Sequence, residues 1–188
     1  MTTAFAGILL AASLAAQPAT EEALLGPMSA QLRNRVGTWC VEAQLRFTPQ
    51  ARPIRVLAVA ESRLLGGRWL VTELRGMDGL GGFSGLGVNG YDARLGRYAG
   101  YWIDSTRGLA IPVEGRYEPA SGLFRTVSTE RNAAGAPLTV TSETQSIGPD
   151  EEIVRFAAPD GEGGSFERMV LRYRRTGAAG DCPLGRGD

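Results

Sequence analysis

A chain of 188 residues with 43% hydrophobic and 21% charged side chains has the size and composition of one ordinary globular domain, which excludes collagen-like, coiled-coil and wholly disordered architectures. Basic and acidic residues number 20 each, for a net charge of +0, so no positive field exists to attract nucleic acid. Every basic residue is arginine; with neither lysine nor histidine, Schiff-base lysines, imidazole bases and histidine-ligated zinc or haem are excluded.

The chain opens with an apolar run, FAGILLAASLAA over residues 5–16, ending in small residues before Gln17 and Pro18. Its length suits a secretory leader over residues 1–16 and is too short for a membrane span, so a periplasmic or secreted protein without stable membrane insertion is expected. In residues 17–36, Ser29 as a cap with Leu32 and Val36 at helical spacing predicts one short helix.

From Gly37 onward the pattern has period two. Strand-like runs fall at residues 38–47, 54–65, 68–75, 83–91, 97–104, 109–118, 123–130, 138–147, 152–157 and 165–175. The links between them carry turn chemistry, among them Gly66-Gly67, Pro119 to Gly122 and Pro149-Asp150, and none is long enough for a helical crossover. The pattern predicts an all-β fold over residues 37–176: a closed antiparallel up-and-down barrel of about ten strands, since closure removes the exposed edges. Residues 177–188 read as a glycine-rich tail.

The two cysteines lie at opposite ends of this region. Cys40 alternates with Trp39 and Val41, which places it on the outward face of the first strand, and Cys182 sits in the tail. In an oxidising compartment a Cys40–Cys182 disulfide would pin the tail to the barrel's outside, the reading preferred over two free thiols. The densest glycine run, GMDGLGGFSGLGVNG over residues 76–90, is followed by another turn rather than a helix, so it is no phosphate loop. Gly85, Gly87 and Gly90 instead mark sharp bends or places where something approaches the backbone closely.

Gly37-Thr38-Trp39 resembles the Gly-x-Trp opening of lipocalin-type and other calycin barrels. LLGGRWL at 64–70, FSGLGVNGYD at 83–92, YWIDST at 101–106 and VEGRYEPASG at 113–122 resemble, in order and spacing, the bacterial DUF1579 family of unknown function. The likeness runs from about Val36 to Arg175 and implies a calycin-like barrel without implying an activity. Related nitrobindin-like barrels hold haem through a histidine that this chain lacks, and no cofactor is expected.

Candidate binding residues follow from the aromatic and charged positions. Trp69, Phe83, Tyr101 and Trp102 are expected to supply an apolar wall, Glu73 and Arg116 orienting polar contacts, and Asp104 with Arg107 a rim. Alternating charges such as Glu61/Arg63, Glu73/Arg75 and Arg172/Arg174 suit cross-strand ladders. Arg172 shares a face with Val170 and Phe166, and an arginine of the last strand lying over Trp39 would resemble the base-of-barrel closure of lipocalins. Three functions fit: a carrier of a small, largely apolar molecule, an enzyme using a tuned carboxylate in the same pocket, and a ligand-free interaction module.

Overall fold

The structure, a computed structural model, describes residues 29–76, 82–132 and 134–182. The leader expected at residues 1–16, most of segment 17–36 and the end of the tail lie outside the described residues.

Ten antiparallel strands form a closed barrel: β1 (Gly37–Leu45), β2 (Ile54–Leu65), β3 (Trp69–Gly76), β4 (Ser84–Asp92), β5 (Arg97–Asp104), β6 (Ile111–Glu118), β7 (Leu123–Arg131), β8 (Pro137–Gly148), β9 (Glu151–Pro159) and β10 (Ser165–Thr176). Each strand pairs with its sequence neighbours, and β10 returns to pair with β1. The up-and-down order follows from the turns. Between β2 and β3, Gly66 and Gly67 both take positive φ, 58° and 71°, and Arg68 N donates to Leu65 O at 3.2 Å, a primed hairpin turn that side chains with a Cβ disfavour.

Register decides which side of each strand faces in. Trp39, Val41 and Ala43 stand opposite Ala60, Ala58 and Val56, and with Val154 and Leu171 they form a buried apolar cluster. The lumen is therefore filled along β1, β2, β9 and β10, where alternating small and branched residues interlock.

Residues 29–33 are helical and close one end of the barrel. Leu32 is buried with Leu70 and Tyr98, and Val36, Leu64, Tyr91, Tyr117 and Phe124 pack around them. Tyr98 sits between Tyr91 and Phe124, with ring centroids 5.0 and 4.7 Å away. Arg35 donates to the buried carboxylate of Glu152, and Trp39 Nε1 donates to Arg35 O at 3.1 Å. The last-strand arginine that covers Trp39 is Arg175: the strand end brings residue 175 directly opposite residue 39, whereas Arg172 faces out and pairs with Glu151.

Cys40 and Cys182 are joined, with Cα atoms 5.3 Å apart. The bond holds the one-turn 3-10 helix Ala179–Asp181 against the outside of β1. Elsewhere the outer surface carries cross-strand ion pairs, among them Glu61–Arg75, Arg97–Glu114, Arg125–Glu143 and Arg155–Glu167. Solvent screens them, so they contribute little to stability, but they keep the exposed sheet polar.

Candidate functional site

The end opposite the helix is built from the finish of β1, β3, β5, β7 and β9 and the start of their partners. Here an open groove of about 580 Å³ runs over the rim, lined by Glu73, Arg75, Leu86 and Ile103 on the outer face, by Leu74, Gly85 and Asp104 on the inner one, and by Arg107 and Leu109 of the β5–β6 loop. Three residues singled out in the sequence, Glu73, Asp104 and Arg107, thus meet at one cleft.

Trp102 adjoins it. The residue pairs with Gly87 and Ile111 on the inner face, and its indole lies flat on Gly85 and Gly87, so that a Cβ at Gly85 would overlap the ring. The glycines of FSGLGVNG thus make room for a large ring rather than for a nucleotide. Trp102 Nε1 donates to Asp104 Oδ2 at 3.0 Å, while Asp104 Oδ1 accepts from the Thr106 amide at 2.9 Å and from its hydroxyl. Burial works against the charged form of Asp104, but the Thr106 and Trp102 donors, with Arg107 nearby, outweigh it and hold the carboxyl below its ordinary value of 3.8. That direction is the reverse of what a general acid requires.

Charged side chains span the mouth. Glu130 Oε2 accepts from Arg107 Nη1 at 2.7 Å and from Arg168 Nη1 at 3.0 Å, joining β7 to the β5–β6 loop and to β10. Arg168 is the extra residue of a bulge between Glu167 and Met169, which re-aims its side chain toward Glu130.

Along β1, β2, β9 and β10 the inner wall is apolar, buried at its middle and partly buried at Leu45, Phe156, Met169 and Tyr173. Along β3 to β7 it mixes the buried Leu70, Tyr98 and Ile111 with the half-buried Thr72, Asn89, Trp102, Val113, Thr126 and Ser128. Hydroxyl pairs Ser62–Thr72 and Thr126–Ser142 lie on this wall at 2.8 and 2.7 Å.

The remaining sequence candidates do not join this site. Pairing of Leu64 with Leu70 turns Trp69, Glu73 and Arg75 outward; Glu73 reaches the cleft only because the cleft wraps over the rim. Trp69 packs on the outside of Gly90 and stays 43% exposed, and Tyr101 is 60% exposed. Arg116 stands on the outer face of β6 opposite Arg125. Trp69, Tyr101 and Arg116 are therefore not part of the inner wall, a correction to the expected lining. Phe83 precedes β4 beside the cleft residue Ser84, and its carbonyl accepts from Gly76 N at 3.0 Å. Among the described residues no group of three or more Asp, Glu or Cys side chains is placed to hold a metal, and no helix is long and apolar enough to cross a membrane.

The profile of a protein family of unknown function, DUF1579, matches residues 26–175, nearly the whole barrel with its closing helix. The chain belongs to the DUF1579 family. This DUF1579 barrel also resembles the crystal structure of Rv2717c from M. tuberculosis, with a TM-score of 0.61 at 14% identity over 80% of this chain and 98% of that one. At that identity the likeness concerns the fold, which is of the calycin/lipocalin kind. No curated protein matches the DUF1579 chain.

Proposed function

We propose that this DUF1579 barrel binds a small, largely apolar molecule in its lumen and at its open end. The observation that supports the reading is the contrast between the barrel's ends: one is stoppered by Leu32, Tyr98 and their neighbours, while at the other a groove of about 580 Å³ runs over the rim beside Asp104, next to the half-buried inward side chains of Thr72 and Trp102. In this reading Trp102 supplies a flat wall, with Asp104, Arg107 and Glu73 at the rim and Phe83 beside it. Asp104 fixes the indole rather than reacting, which favours carriage over catalysis.

The disulfide is consistent with an oxidising compartment, and we place the mature protein outside the cytoplasm, its first residues serving as a cleaved leader. Native mass spectrometry of protein purified from its own cell envelope tests both points. A co-purifying small molecule on a chain shortened at its N-terminus is expected. A full-length chain confined to the cytoplasm refutes export, and a ligand-free barrel with no adduct refutes carriage.

A further inference from the structure

Of the polar side chains that the register turns inward along β2 to β9, most are already satisfied. Ser62 pairs with Thr72 and Thr126 with Ser142; Ser128 donates to Val140 O; Glu130 holds two arginines, Asp104 holds Trp102, and Glu152 holds Arg35. Among the described residues Thr144, Ser146, the hydroxyls of Tyr91 and Tyr117, and Asn89 have no protein hydrogen bond, and of these only Asn89, with a carboxamide, offers two donors and an acceptor beside Trp102. A polar group inside a barrel is normally partnered, by protein, water or ligand.

The niche around Asn89 is shaped by missing side chains. Asn89 pairs with Leu70 and Gly100, and a Cβ at Gly100 would stand 2.8 Å from its Oδ1. Its Nδ2 lies 3.7 Å from the Cβ position of Gly87, and Trp102 Cε3 lies 3.4 Å from that same point. The free carboxamide and the benzo ring of the indole, itself locked by Asp104, therefore flank one glycine, both side chains half-buried on the inner face.

We infer that Asn89 is the polar anchor of the lumen site and that the ligand is a flat, uncharged ring bearing an adjacent N–H and C=O, a lactam or ring amide, which presents its face to Trp102 and its polar edge to Asn89. A carboxamide meets such an edge with a donor and an acceptor together, and it offers nothing comparable to a hydrocarbon ring. The inference rests on the lumen being a ligand site and adds the chemistry that the site selects.

Three rings of equal size separate the possibilities: 2-quinolinone with the N–H and C=O edge, quinoline with an acceptor alone, and naphthalene with neither. Calorimetry on the wild-type protein is expected to show 2-quinolinone binding at least about tenfold more tightly than naphthalene, with quinoline between, the difference of one satisfied polar edge. In Asn89→Leu, which keeps the volume, the preference should fall to about onefold. In the wild-type protein, nitrogen-15 spectra should show the Asn89 side-chain amide shifting with 2-quinolinone and not with naphthalene, a readout that does not depend on the variant folding. Equal binding of the three rings by the wild type overturns the assignment of Asn89 while leaving the lumen site standing. Binding of none overturns the lumen site as well.

Discussion

The guanidinium of Arg175 lies 4.1 Å from the centre of the Trp39 ring, and the same side chain donates to the carbonyls of Val36 and Asn34 and to Asp150. One residue of the last strand thus ties the first strand, the segment after the helix and the β8–β9 turn into a single closure of the barrel's base. Replacing it by alanine removes a cation–π contact and several charge-assisted hydrogen bonds at once and should lower unfolding free energy by about 2–3 kcal/mol. Arg172→Ala, which loses only an exposed pair with Glu151, should cost less than about 1 kcal/mol. Urea denaturation of both variants checks the contrast; equal losses would contradict it.

Gly85 has no space for a methyl group because Trp102 lies on it, whereas Gly148 has nothing within 4 Å. Gly85→Ala should displace the indole, change the near-ultraviolet circular dichroism and cost about 1–3 kcal/mol, while Gly148→Ala should leave the spectrum unchanged. An unchanged spectrum in Gly85→Ala would show that the ring has other places to go.

Reducing the Cys40–Cys182 bond releases a closure between residues 142 positions apart in sequence and should lower stability by roughly 2–5 kcal/mol, chiefly by freeing the unfolded chain. The measurement is the thermal midpoint with and without reductant, set beside a Cys40→Ser/Cys182→Ser double variant. Since the bond lies outside the barrel, ligand capture by the reduced protein below its midpoint should persist.

Asp104 is held below its ordinary value of 3.8 when folded, so it stabilises the native state at pH values above that range and loses its contribution as pH falls through the lower, folded value. Trp102 fluorescence should therefore hold steady on acidification to about pH 4 and change below it, as the carboxylate that fixes the indole takes up a proton. In Asp104→Asn this acid-dependent component should vanish. An identical acid profile in the two proteins would refute the coupling.

The number of strands, their hairpin order, the disulfide and the close approach at Gly85 and Gly90 were all legible in the sequence, because alternation and turn residues are local signals. The facing of β3 was not. WLVTELR puts apolar residues on both faces, so the choice between Trp69/Glu73 and Leu70/Leu74 is made only by pairing with β2. That Arg175 is the last-strand arginine over Trp39 was not legible, since it depends on where β10 meets β1. The meeting of Arg168 with Glu130 is set by a bulge and a separation of 38 residues, neither of which leaves a local pattern. Asn89 was overlooked although it falls within the strand-like run 83–91, where attention went to the glycines; the alternation Gly85, Gly87, Asn89, Tyr91 carried the signal that it shares the inner face.

The three tryptophans report on three places: Trp39 in the packed core, Trp69 on the outer face and Trp102 in the lumen. Fluorine NMR of the 5-fluorotryptophan-labelled protein, titrated with a small-molecule extract of the cells that make it, tests most directly whether the lumen is a binding site. The Trp102 resonance should move while Trp39 and Trp69 stay in place. A shift confined to Trp69, or three unmoved resonances, would contradict a ligand-holding interior.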